Sequence, residues 1–140
     1  MKTKEQISYN MTRVRSSGSK MELRLGSALW AAGIRYRKQY KKVPGRPDFA
    51  VVWAKLAVFC DSAFWHGRYW PEEYESIKGS GDFWLKKIRR NIERDRLVER
   101  ELIKVGWRFL RFWDEEIEIR TEECVVAVKS ALKGIAAKKR

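Results

Sequence analysis

The amino-acid sequence predicts an α/β domain with a central mixed sheet flanked by helices. Three observations lead there. Two apolar, β-rich runs follow one another at Phe49–Trp53 and Leu56–Cys60, and another stands at Trp107–Trp113. Apolar residues at helical spacing precede the first run and fill the stretch before the last. The resulting order, αβββαβα, places strands in one sheet whose faces helices must cover.

Each element has its own signal. Residues 1–18 carry few periodic apolar positions and are predicted to be an irregular basic arm. Ser19-Lys20-Met21-Glu22 matches a capping box, in which Glu22 satisfies free backbone donors at a helix start. Met21, Leu25, Ala28, Leu29 and Ala32 continue at helical spacing to Gly33, a C-cap residue. Ile34 to Tyr40 alternates as an edge strand does, and Pro44-Gly45-Arg46-Pro47 ends it with turn chemistry. The runs at Phe49–Trp53 and Leu56–Cys60 form a hairpin around a two-residue turn, Ala54-Lys55. Residues 62–81 form a long connection. Asp82 then caps a helix bearing Trp84, Ile88, Ile92, Leu97, Leu102 and Val105, which Gly106 stops. After the last strand, one or two helices reach Leu132, and residues 134–140 form a basic tail. The chain is read as one domain over residues 1–140.

Composition narrows the function. Among 140 residues, 31 Lys and Arg against 18 Asp and Glu give a net charge of +13 and an isoelectric point near 10.0. Basic clusters recur in Arg13–Arg15, Arg35–Lys42, Lys86–Arg90 and Lys138–Arg140, several interleaved with aromatics. Lys and Arg hold phosphates while aromatic faces stack on bases, so nucleic acid is the expected partner, ahead of an anionic membrane surface. No apolar stretch is long enough to span a membrane, and the N-terminus opens into no secretory h-region. Two cysteines and one histidine can neither build a disulfide framework nor complete a four-ligand zinc site by themselves. A cytoplasmic, nucleoid-associated protein without a membrane is expected.

The hairpin carries the candidate chemistry. A two-residue turn at Ala54-Lys55 sets Asp48 opposite Asp61, with Cβ atoms about 4.5–5.5 Å apart. Two carboxylates that close repel unless a cation bridges them, and their hard oxygens suit Mg²⁺. The plainer readings are a turn residue after Pro47 for Asp48 and a strand-end cap for Asp61. His66, the only histidine, follows Phe64-Trp65 a few residues beyond Asp61. It is either a structural imidazole or a general base for water near a metal-held phosphate. Glu22 can reach the same place from the first helix, although its capping role explains it equally.

Pro44-Gly45-Arg46-Pro47-Asp48-Phe49, Val58-Phe59-Cys60-Asp61, Phe64-Trp65-His66-Gly67, Asp82-Phe83-Trp84-Leu85-Lys86-Lys87-Ile88, Asn91-Ile92-Glu93-Arg94-Asp95-Arg96 and Gly106-Trp107-Arg108 together resemble very-short-patch repair (Vsr-type) endonucleases of the PD-(D/E)XK superfamily. The similarity runs from about Asn10-Met11 to Trp113. It implies a restriction-endonuclease-like fold and a Mg²⁺-dependent endonuclease that nicks double-stranded DNA at or near T·G mismatches in DNA repair. Asp48 matches the catalytic aspartate that binds Mg²⁺, His66 the catalytic histidine, and Glu22 a helical glutamate near the site. Cys60 matches a position whose backbone carbonyl helps to hold the metal, and Asp61 stands as a second acid in place of a family histidine. Phe64, Trp65 and Trp84 match aromatics that wedge into the DNA stack; without the resemblance they read as core. Met11, Arg13, Arg46, Lys87 and Asn91 complete the expected DNA contacts. A monomer is expected, and no structural zinc, because the positions that match the family's zinc ligands are Ala63, Arg68, Trp70 and Glu115. Other repair proteins are candidate partners. A restriction, phage or mobile-element nuclease of the same fold, and a non-catalytic DNA-binding module on a nuclease scaffold, are the alternatives.

Overall fold

The computed structural model describes residues 20–68 and 82–133, and these form a four-stranded sheet between helical layers. Helix α1 spans Lys20–Ala31 and buries Glu22, Leu25, Gly26 and Leu29, a single inward stripe, before Gly33 at φ +86° ends it. Strands β1 (Arg37–Lys38), β2 (Phe49–Val51) and β3 (Leu56–Asp61) are antiparallel neighbours. Helix α2 (Asp82–Lys104) then carries the chain over to β4 (Arg108–Trp113), which pairs with β3 in parallel, as the intervening helix requires. Helices α3 (Asp114–Ile119) and α4 (Thr121–Leu132) close the domain.

Alternation along the strands divides the core in two. Phe49, Val51, Leu56, Val58 and Phe112 face α1, α3 and α4, packing on Leu25, Leu29, Ile117 and Val128. Ala50, Ala57 and Phe59 face the other way, against Leu102 of α2 and Trp107. Asp61 shares that second face by its position two residues beyond Phe59.

The hairpin departs from the expected one. Val52–Ala54 forms a 3₁₀ turn, so β2 ends at Val51 and does not reach Trp53. A two-residue type I′ turn needs positive φ at both central residues, which Ala54 resists; the longer turn needs it only at Lys55, φ +51°. The register is therefore Phe49↔Val58 and Val51↔Leu56. Continued outward, it sets Asp48 opposite Phe59 and Pro47 opposite Cys60. Asp48 does not face Asp61, which corrects the expected pairing of the two acids. The edge strand is shorter too: Gln39 takes φ +46° and ends β1 after two residues.

Candidate active site

The turn before β2 aims Asp48. Gly45 adopts φ +83° against Phe59 and Val98, where an added Cβ would collide with the Val98 side chain. The chain then returns beside β1, with Gln39 N–H donating to Asp48 O at 3.0 Å and Tyr40 N–H to Pro47 O at 3.1 Å. The Asp48 carboxylate accepts the Cys60 N–H at 2.7 Å. The side-chain amide of Gln39 bridges two acids, donating to Asp48 Oδ1 at 3.1 Å and to Glu22 Oε2 at 3.0 Å. Glu22 is buried, so its helix delivers a carboxylate inward; Ser19 of the expected capping box lies outside the described residues. Burial, with Glu22 and Asp61 adding to it against the Cys60 N–H and Gln39, pushes the Asp48 carboxyl up to about 6.

The Cys60 carbonyl belongs to this pole. In an antiparallel ladder a residue's N–H and C=O point to the same side, and the Cys60 N–H is turned toward Asp48. The residue opposite is Pro47, which has no N–H to give, so the ladder offers that carbonyl no donor. Two carboxylates and a carbonyl form an all-oxygen set of the kind hard divalent cations take.

A second pole begins at the next residue. Asp61 is 4% exposed and faces α2. His66 lies in the turn that follows β3, held by His66 N–H to Ser62 O at 3.0 Å. Its Nδ1 is 2.5 Å from Asp95 Oδ2 and 3.9 Å from Asp61 Oδ2. Burial lowers the imidazole pKa, but the Asp95 hydrogen bond and the charges of Asp61 and Asp95 outweigh it, and the net shift is upward. Burial also raises the Asp61 carboxyl, against the pull of His66 and Arg111. Arg111 Nη1 donates to Asp61 Oδ2 at 2.8 Å. Asp61, His66 and Asp95 bring possible ligand atoms within 4.8 Å of one another, a metal-capable group among the described residues. The structure thus gathers Glu22, Asp48 and Cys60 into one set and Asp61 and His66 into another, joined where Cys60 meets Asp61.

Of the expected DNA-contacting residues, Phe64, Trp65, Trp84, Lys87 and Asn91 fall around the His66 pole. Phe64, Trp65 and Trp84 pack together with Ile88, Leu85 and Ile92 at the start of α2. Trp65 is 8% exposed within this group, whereas Phe83, not among the expected wedges, is 64% exposed. Asn91 Nδ2 donates to Trp65 O at 3.0 Å, and Lys87 Nζ lies 4.9 Å from the Trp65 ring centre. Arg46 is exposed at the Asp48 turn. Met11, Arg13 and Trp70 lie outside the described residues, as do the basic arm and tail. Of the other positions matched to zinc ligands, Arg68 and Glu115 form an ion pair at 3.2 Å. A cleft of about 550 Å³ between α1 and β1, lined in part by Trp30, Tyr36 and Lys38, opens on Glu22 and Gln39. Lys41 and Lys42 flank it along the neighbouring edge.

Sequence reasoning missed Gln39, Asp95, Glu99 and Arg111. Gln39 had no signal, since its role comes from a left-handed backbone. The helix residues did have one. Ile88, Ile92, Asp95, Glu99 and Leu102 recur at alternating spacings of four and three, so both acids sit on the inward stripe of α2. Arg111 likewise stands in register with Phe59 on β4, facing the same helix.

Comparisons with known proteins identify relatives of the chain. The family model described as DNA mismatch endonuclease Vsr matches residues 1–72. The chain is 43% identical over 131 residues to the type II nicking enzyme V.NmeDIP of Neisseria meningitidis serogroup C, spanning 94% of this chain and 88% of that one. It is 38% identical over 118 residues to the type II nicking enzyme V.HpaIIP of Haemophilus parainfluenzae, 84% of each. It is also 36% identical over 107 residues to the DNA mismatch endonuclease Vsr of Escherichia coli (strain K12), 76% of this chain and 68% of that one.

Proposed function

The chain belongs to the DNA mismatch endonuclease Vsr family, and we propose that it is a Mg²⁺-dependent endodeoxyribonuclease that nicks duplex DNA at or near a T·G mismatch. The observation that carries this reading is the meeting, at consecutive residues Cys60 and Asp61, of an oxygen-donor set and a histidine oriented by a carboxylate.

Asp48 and the Cys60 carbonyl would hold Mg²⁺, with Glu22 alongside. Bound there, the ion would offset phosphate charge and polarise the scissile P–O bond. His66 takes the proton from the attacking water at Nε2. Asp95 keeps the Nδ1 hydrogen in place, which leaves the Nε2 lone pair outward, and it stabilises the imidazolium that forms. Asp61 adds negative potential behind the ring. Asp48 releases its proton more readily once a cation faces it, since its raised pKa reflects burial and like charges.

Phe64, Trp65 and Trp84 engage bases at the mispair, where unstacking is cheapest. The Trp65 indole N–H, buried with no acceptor among the described residues, gains one if the ring turns toward DNA. Met11, Arg13, Arg46, Lys87 and Asn91 hold the strands. The same reading assigns a single 140-residue domain, acting as a monomer on nucleoid DNA in the cytoplasm with other repair proteins. The described residues contain no helix long and apolar enough to cross a membrane.

The test is cleavage of strand-labelled duplexes that differ only in a T·G or T·A pair, with Mg²⁺ or with chelator. Mg²⁺-dependent nicking of the T·G duplex, at least tenfold faster than the matched one, is expected. Equal cutting of both duplexes would replace repair with a restriction, phage or mobile-element role. Binding without any cutting would leave a DNA-binding module.

A further inference from the structure

Arg111 places one guanidinium among three carboxylates. Nε donates to Glu99 Oε2 at 2.6 Å, Nη1 donates to Asp61 Oδ2 at 2.8 Å, and Nη1 lies 3.7 Å from Asp95 Oδ1. The Phe59 ring, 4.2 Å from the guanidinium carbon, backs its plane. The side chain is 18% exposed. Without it, Asp61 and Asp95 beside His66, and Glu99 next to them on Arg111, would have no guanidinium between them, although Asp61, His66 and Asp95 already have the spacing a divalent ion needs.

We propose that Arg111 is the resident cation of this cluster, standing where a divalent ion would otherwise bind and so confining metal to the Asp48 pole. The inference rests on the assignment of nuclease chemistry to Asp48 and His66. A guanidinium suits the task because it stays charged at any working pH and its forked donors satisfy several carboxylates at once. Metal at Asp61, His66 and Asp95 would claim an imidazole nitrogen and remove the base that water needs. Arg111 is thus a positioning residue, acting on His66 through Asp61 and Asp95.

Mn²⁺ is the probe, and the chain's sole histidine makes the readout specific. In the full-length wild type, electron spin-echo modulation of bound Mn²⁺ should show no coupling to an imidazole nitrogen. Arg111→Met should bind one more Mn²⁺ per chain, and that ion should show the coupling. Its kcat for nicking should fall at least tenfold with little change in KM for DNA. Arg111→Lys should match the wild type in stoichiometry and spectrum. Asp61→Asn in the Arg111→Met background should lose the extra ion. Imidazole coupling in the wild type, or a folded Arg111→Met that binds no extra Mn²⁺, overturns the proposal. Should Arg111→Met fail to fold, the wild-type and Arg111→Lys spectra decide. Nicking by the same wild-type sample is scored separately: its absence would sink the nuclease reading, while the spectra would still locate the metal.

Discussion

Nδ1 of His66 lies 2.5 Å from Oδ2 of Asp95, a contact that ties the turn after β3 to the middle of α2. It fixes the direction of the ring and occupies Nδ1, leaving Nε2 outside the contact. The turn itself is pinned to the same helix by Asn91, so backbone and side chain locate the imidazole together.

Asp95→Asn should therefore lower kcat by about 100-fold or more, the share a correctly held general base supplies. It should also move the pH profile. The base must be neutral, so activity rises as pH passes the His66 pKa, which Asp95 holds above its ordinary value. Without that carboxylate, the rising limb shifts to lower pH. A kcat profile from pH 5 to 9 for both proteins, at saturating duplex, checks the direction.

Asp48→Asn should abolish nicking and yet stabilise the metal-free protein at neutral pH. The folded-state pKa of about 6 exceeds the ordinary 3.8. The native carboxyl therefore keeps its proton where the unfolded one has lost it. Its stabilising contribution is complete below about pH 4 and is lost as pH rises through 6, where the charge becomes a burden. The variant should gain on the order of 1 kcal/mol at pH 7.5 in chelator and nothing at pH 3.5. Urea unfolding at the two pH values checks the sign.

Gly45→Ala tests how the turn aims Asp48. The position combines φ +83° with contact to Val98 and Phe59. An alanine there should cost about 2–4 kcal/mol, from the left-handed backbone and the overlap together. Thermal unfolding reads the loss, and nicking at a permissive temperature should remain below wild type because Asp48 shifts with the turn.

Arg46→Ala and Lys87→Ala, both at exposed positions, should weaken duplex binding uniformly across sequences. Each should reduce the slope of log K against log salt by about 0.9 if it contacts one phosphate. Filter binding between 50 and 300 mM salt measures it. An unchanged slope would remove that residue from the interface.

The elements were legible because apolar spacing is decided locally: Leu25 and Leu29 mark one helix stripe, and the Val58 and Phe112 strands read directly as buried β. Asp48, His66 and Glu22 were legible as reactive types in uncommon surroundings, and the motif resemblance ordered them. The hairpin register was not, because whether Val52 and Trp53 extend a strand or coil into a turn depends on which backbone strain Ala54 and Lys55 can accept. Nor were Asp95, Glu99 and Arg111 read, although their positions are periodic. In a helix as charged as α2, Asp95 and Glu93 look alike until the helix is docked, and an arginine inside a strand is easily taken for a solvent-facing residue.

Under the proposed function, Asp48 anchors a metal-dependent cut. Single-turnover nicking of a T·G duplex by wild type and Asp48→Asn, with DNA binding measured on the same samples, tests it most directly. Both proteins should bind alike, the wild type should nick one strand only when Mg²⁺ is present, and the variant should not nick. Nicking by Asp48→Asn at the wild-type rate would contradict it.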